Sequence, residues 1–202
     1  MYNSQERMTD LLRAAQGGDA SAAEALFRQY SPTVFRLTAS LLNDADDADE
    51  VTQDTFVYAL KNLGRYDPVR SAFQTWLFTI AISRCRNKRR RKWLATISLS
   101  WLVREEQTTR RGGQIRSLED WLAARGVQSE LWAAVQSLSP KLREALILRF
   151  VGELSYAEIG EAAGCGAKAA ESRVRTGIAA LRKQLAGQEA LQRDWLEVAD
   201  VL

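Results

Sequence analysis

The chain has 202 residues, with 28 lysines and arginines against 25 aspartates and glutamates, no histidine, two cysteines, three prolines and 12 glycines. Its length suits two small helical domains, each burying its own core, better than one large core. Abundant Ala, Leu, Glu, Gln and Arg lose little side-chain entropy in a helix, so the expected fold is all-α, and the absence of histidine removes the commonest general base.

The formal net charge is only +3, but the charge is sorted, with acids clustered at residues 44–54 and bases at 84–92. Cys85 and Cys165 lie far apart with no histidine or second cysteine to complete a metal site, so they read as small buried residues and no metal or cofactor is expected. The opening residues, Met1-Tyr2-Asn3-Ser4-Gln5-Glu6-Arg7, lack an apolar signal-like run. No later run approaches the roughly 18 apolar residues of a membrane span, so a cytoplasmic chain without membrane insertion is expected.

In chain order, Ser21-Ala-Ala-Glu24 has the form of a capping box, with Asp19 as a competing cap. The helix it opens carries Leu26, Phe27, Tyr30, Val34, Leu37 and Leu41 at helical spacing to about Leu42, with Pro32 as a kink. Asp47-Ala-Asp-Glu50 opens a second helix through Val51, Thr55, Phe56 and Ala59 that stops at Gly64. Ser71-Ala-Phe-Gln74 is another capping box, and Phe73, Trp76, Leu77, Ile80, Ala81 and Arg84 form the stripe of a third helix that runs directly into a basic segment.

Residues 93–127 lose clear periodicity and read as a linker, with a short helix allowed near 118–124. A second domain starts near Ser129 with Leu131, Trp132, Val135 and Leu138 on one face. Ser139-Pro140 caps a helix to about Gly152, Ser155-Tyr-Ala-Glu158 is a further capping box for a helix ending at Gly164, and the last helix spans about 168–185.

A short helix, a glycine-bearing turn and a second helix that is apolar on one side and basic on the other can place the second helix in a major groove. Ile159, Ala162 and Ala163 would pack against Val174, Ile178 and Leu181, leaving Ser172, Arg173, Arg175, Thr176, Arg182 and Lys183 for phosphate or base contact. A plain helical hairpin with a solvated basic face explains the same local pattern.

Several motifs occur in a fixed order: Asp46-Asp-Ala-Asp-Glu-Val-Thr-Gln-Asp-Thr-Phe56, Tyr66-Asp-Pro68, Phe73-Gln-Thr-Trp-Leu-Phe-Thr-Ile-Ala81, a basic run, then Leu138-Ser-Pro-Lys-Leu-Arg-Glu-Ala145 and Leu154-Ser-Tyr-Ala-Glu-Ile-Gly160. The ordered set resembles the bacterial sigma-70 family, in its small two-domain extracytoplasmic-function (ECF) form, over roughly residues 10–186. The resemblance implies a subunit that joins core RNA polymerase and directs it to −10 and −35 promoter elements without being a catalyst itself. It implies a region 2-like domain over 1–94, a linker over 95–127, a region 4-like domain over 128–186 and an additional amphipathic tail over 187–202.

By resemblance the acidic helix binds the arginine-bearing clamp helices of the polymerase β′ subunit, through Asp47, Asp49, Glu50, Gln53 and Asp54, carboxylates suited to guanidinium forks. A solvated acidic face, or acids placed at a helix N-terminus, accounts for the same residues. A calcium loop is rejected, because Ala48 occupies a ligand position, Asp49 the turn glycine and Thr55 the final glutamate.

Single-stranded DNA binding needs cations and pockets for unstacked bases, and residues 84–92 supply seven bases in nine. The resemblance implies −10 contacts from Trp76, Phe78, Ser83, Arg84, Arg86, Asn87, Lys88, Arg89 and Arg90, with Ser83 and Asn87 the polar readers of a flipped base and Trp76 also suited to the core.

For the −35 element the implied contacts are Lys168, Glu171, Ser172, Arg173, Arg175, Thr176 and Arg182. Glu171 departs from the family's pattern by standing where a cation would approach DNA, although it can accept from a cytosine amino group. Gly177 inside this helix costs about 1 kcal/mol relative to Ala. The implied partners are core polymerase through its β′ clamp and β flap, promoter DNA and an anti-sigma factor. Two readings compete: a stand-alone helix-turn-helix repressor or activator binding duplex operators, and a carboxylate enzyme or helical adaptor, which leaves the basic run unexplained.

Overall fold

A computed structural model describes residues 4–99 and 129–186, all of their regular structure helical. They fall into two compact units, Met1–Gly112 and Gly113–Leu202. The described part of the first contains α1 (Ser4–Gln16), α2 (Ala20–Leu42), α3 (Ala45–Lys61), a 3-10 turn (Leu63–Arg65) and α4 (Phe73–Leu99). That of the second contains α5 (Ser129–Ser137), α6 (Pro140–Phe150), α7 (Tyr156–Ala163) and α8 (Ala167–Gln184).

In the first unit α2, α3 and α4 pack pairwise around a core that includes Leu26, Val34, Leu37, Val51, Phe56, Leu77 and Phe78. Excluding these side chains from water is the main driving term, at roughly 1.5–3 kcal/mol each. Thr38 and Thr52 fasten α2 to α3 inside this apolar layer: their hydroxyls lie 3.0 Å apart, and both donate to the Ala48 carbonyl. Both threonine hydroxyls thus keep a partner where water is absent.

Several helix starts differ from the sequence expectation. Asp19 caps α2 by accepting from the backbone N–H groups of Ser21 and Ala22, which makes Ser21 a first-turn residue. Asp44, whose carboxylate accepts from Asp47 N at 2.9 Å, starts α3 ahead of the expected Asp47. The helix ends at Lys61 and not at Gly64, which belongs to the 3-10 turn. α4 begins at Phe73 with Trp76 N bonded to Ala72 O, so the cap position falls on Ala72 and not on Ser71.

α2 runs across Pro32 to a left-handed Asn43. α1 has no counterpart in the sequence reading, because its mainly polar chain offers only Met8, Leu11, Leu12 and a few alanines; it lies half-buried on α2. α4 is helical through Leu99, beyond the expected linker start at 95; the rest of that linker and the tail 187–202 lie outside the described residues.

In the second unit α8 packs on both α6 and α7, burying Ala170, Val174, Gly177 and Leu181 against a core that includes Leu146, Leu148 and Ile159. The Ser155 capping box forms as expected: Glu158 N donates to Ser155 Oγ, and Ser155 N donates to the Glu158 carboxylate at 2.9 Å.

The turn to α8 is a Schellman stop. Gly164 adopts φ 68°, its N–H reaches Glu161 O at 3.2 Å, and Cys165 N donates to Gly160 O at 2.7 Å. A Cβ on Gly160 would stand 2.8 Å from Cys165 O, and one on Gly177 would stand 3.0 Å from Leu146 Cδ1. Both glycines are therefore set by close approach, which overrides their poor helix propensity.

Candidate functional site

In the first unit α3 and α4 lie antiparallel, so that successive acids meet successive bases. Asp54 faces Arg84 at 3.3 Å, Glu50 and Asp47 face Lys88 at 2.5 and 3.4 Å, and Asp47 and Asp44 both face Lys92, the latter at 3.2 Å. The acidic segment and the basic run, treated as separate features in the sequence, are thus joined by a ladder of ion pairs. Asp47 is its inner member, with a side chain only 12% exposed, whereas those of Glu50 and Asp54 are 60% and 57% exposed.

Partial burial works to lower the pKa of both lysines, but hydrogen bonds to carboxylates (Glu50 and Asp47 for Lys88; Asp47 and Asp44 for Lys92), with their Coulomb attraction, outweigh it and raise each above its ordinary 10.5. Burial works to raise the pKa of Asp44, but hydrogen bonds from Asp47 N and Lys92 overcome it and hold the carboxyl below 3.8. The guanidinium of Arg84 also sits 5.0 Å over the Tyr58 ring. The ladder could have been suspected from the four-residue steps of Arg84, Lys88 and Lys92, which share one helix face.

The remaining polymerase-face candidates, Asp49 and Gln53, lie beside the ladder and bond each other at 2.8 Å. Near them, Ala23, Phe27, Gln53, Phe56, Val57 and Leu60 line a shallow groove of about 380 Å³ between α2 and α3, with Val57 53% exposed.

Of the −10 candidates, Ser83, Arg86, Asn87 and Arg90 are exposed on the side of α4 turned away from α3, with Arg89 half-buried at its flank. Arg84 and Lys88 turn instead toward α3. Phe78 is 0% exposed and fills the core, so it offers no surface to DNA. Phe78 lies off the stripe of Phe73, Leu77, Ile80 and Ala81, but α4 is buried on a second side as well, through Thr75, Phe78 and Ile82, which spacing along a single helix does not reveal. Trp76 is half-buried in an aromatic cluster, its ring 5.4 Å from Tyr66 and 5.7 Å from Phe73. Tyr66 anchors the loop before α4 by donating from its hydroxyl to Ser71 O at 3.1 Å.

In the second unit the outward face of α8 carries Lys168, Ser172, Arg175, Thr176 and Arg182, all exposed, with Glu171 and Arg173 half-buried beside them. Ile178 is half-buried, and Gly177 takes the buried position that the sequence reading assigned to Ile178. Lys168, Arg175 and Arg182 thus recur every seven residues along one polar strip, with Lys183 also exposed beside its C-terminal end and a single acid, Glu171, beside its N-terminal turn.

The described residues thus define a two-unit helical protein, with an acid–base helix pair in the first unit and a helix-turn-helix that presents a basic strip in the second. Residues 26–95 match the family described as Sigma-70 region 2, and residues 128–181 match Sigma-70, region 4. The ECF RNA polymerase sigma factor SigC of Mycobacterium tuberculosis is 32% identical over 172 residues, covering 84% of this chain and 86% of SigC. SigW of Bacillus subtilis is 26% identical over 180 residues, covering 86% of this chain and 94% of SigW. BldN of Streptomyces coelicolor is 33% identical over 165 residues, which cover 78% of this chain but only 58% of BldN.

Among solved structures, RpoE of Bartonella quintana, crystallised with the anti-sigma factor NepR, shares the fold with a TM-score of 0.63 at 23% identity, covering 81% of this chain and 96% of RpoE. The chain belongs to the sigma-70 family, in its ECF group. Members of this family are transcription initiation factors and not enzymes. Among the described residues, no helix is long and apolar enough to cross a membrane.

Proposed function

We propose that this chain binds core RNA polymerase and directs it to a two-element promoter, acting in the cytoplasm as an initiation factor with no catalytic step of its own. The observation that carries the reading is the paired surfaces of the first unit: exposed carboxylates on α3 back to back with an exposed polar and basic strip on α4. Glu50 and Asp54, with Asp49 and Gln53 beside them, suit the guanidinium forks of a β′ clamp. Ser83, Arg86, Asn87 and Arg90 suit a melted −10 strand, where cations follow phosphates and polar side chains read an unstacked base.

In the second unit α8 enters the major groove at the −35 element, with Lys168, Arg175 and Arg182 on phosphates or bases and Ser172 and Thr176 adapting to either. The region 2-like part extends through about residue 94, the region 4-like part covers 128–186 and contacts the β flap, and 95–127 links them. The anti-sigma partner of RpoE supports a partner of that kind for this chain.

Run-off transcription with core polymerase and a randomised promoter library tests the reading. Selected templates should share two sequence blocks and depend on the added chain. If core and chain together initiate no more than core alone, the reading is wrong. Replacing Glu50 and Asp54 by lysine should abolish initiation while leaving the chain folded.

A further inference from the structure

Part of the basic run faces inward, and its geometry gives it a role different from the rest. Lys88 Nζ is 2.5 Å from Glu50 Oε2 and 3.4 Å from Asp47 Oδ1, and its side chain is only 19% exposed. An ammonium held between two carboxylates is poorly placed for phosphate, which those same carboxylates repel. Glu50, by contrast, remains 60% exposed while holding Lys88. A carboxylate has about four acceptor sites, so one oxygen can keep the lysine while the other receives an incoming guanidinium.

We propose that Lys88 is a positioning residue for polymerase binding: it fixes the exposed Glu50 carboxylate in place on α3 and does not itself contact promoter DNA. Lys92, on Asp44 and Asp47, and Arg84, on Asp54, extend the same support along the helix. Contact with the melted strand then falls to the opposite side of α4, where Arg90 is exposed. The proposal rests on the reading of α3 as the polymerase face. Its physical basis is preorganisation: a glutamate already ordered by an internal cation loses less rotamer freedom when a partner binds.

The full chain, fluorescently labelled, is titrated with sigma-free core polymerase, and separately with oligo(dT) across a salt series. Lys88→Met keeps the aliphatic stem and is checked for folding by circular dichroism, while Lys88→Arg keeps the charge. Lys88→Met should weaken core binding about three- to tenfold, the range expected for losing the preordering of one flexible side chain, and Lys88→Arg should restore it. In a Glu50→Gln background Lys88→Met should add nothing, whereas its effect should multiply with that of Asp49→Asn, because only coupled residues depart from additivity.

The slope of log affinity against log salt for oligo(dT) should be unchanged in Lys88→Met and shallower by about 0.7 in Arg90→Gln, the loss of one phosphate contact on a single strand. Unaltered core binding by Lys88→Met, an undiminished effect in the Glu50→Gln background, or a slope reduced as in Arg90→Gln would each overturn the proposal. Failure of the unsubstituted chain to bind core would instead defeat the underlying reading of α3.

Discussion

Gly160→Ala separates local propensity from tertiary constraint at the turn of the helix-turn-helix. In an isolated helix the substitution would gain about 1 kcal/mol, since Ala is the best helix former and Gly among the worst. In this fold the new Cβ would meet Cys165 O at 2.8 Å, Gly166 C at 3.1 Å and Ala167 N at 3.1 Å. Ordinary contact begins near 3.4 Å, so the carbonyl must retreat by about 0.6 Å, and all three obstacles are backbone.

That carbonyl belongs to the residue whose N–H closes the Schellman bond to Gly160 O at 2.7 Å, so moving it strains the stop and tilts α8 together. Overpacking costs about 1–3 kcal/mol, and because all three obstacles are backbone that cannot swing aside the cost here falls in the upper part of that range, about 2–3 kcal/mol, which leaves a net loss of about 1–2 kcal/mol after the propensity gain. Native-state hydrogen exchange of the full chain measures it, because protection of α7 and α8 amides reports the local opening free energy without assuming one transition for both units. Equal or greater protection in Gly160→Ala would refute the reasoning, and duplex DNA affinity should fall in parallel if the turn aims α8.

Other consequences follow from the same contacts. Ser155→Ala removes one half of the capping box and should lower protection of α7 by about 1 kcal/mol, with little effect on amides of the first unit. Lys88 and Lys92 have raised pKa values, so their contribution to stability is complete below 10.5 and is lost as pH rises through the folded values; denaturant unfolding of the first unit should weaken above about pH 10.5, and Lys88→Met with Lys92→Met should flatten that limb. Asp44 is lowered and acts oppositely: its contribution is present above 3.8 and lost as pH falls through the depressed value, so Asp44→Asn should reduce the acid sensitivity of the same unit. Glu171→Gln removes the one acid beside the basic strip of α8 and should tighten duplex DNA binding severalfold at low salt, an effect that fades as salt is added; unchanged affinity would place Glu171 away from phosphate.

Composition and helical period were enough to establish an all-helical chain, the approximate spans of seven helices and the helix-turn-helix, because each depends on neighbours within one or two turns. Ser155, Glu158 and Gly164 formed the cap and stop that their spacing implies for the same reason. Caps chosen between adjacent acids and hydroxyls were less legible: Asp19 displaced Ser21 and Asp44 preceded Asp47, since which side chain reaches the free N–H groups depends on the entry angle of the chain. The half-buried α1 lacked a strong apolar stripe and was silent for that reason.

The ordered motifs also carried the family, which the matches over residues 26–95 and 128–181 bore out. They did not carry which side of α4 faces which partner. Trp76 lies on the apolar stripe and Phe78 on the other side of the helix, yet it is Phe78 that is sealed in the core while Trp76 joins a half-buried aromatic cluster. Lys88 and Arg90 belong to one basic run, yet the antiparallel packing of α3 on α4 turns the first toward Glu50 and leaves the second exposed. Charge counts and spacing along a single helix thus mark candidate residues for polymerase or DNA contact, but only the register of one helix against another decides which charges are already paired and which face outward.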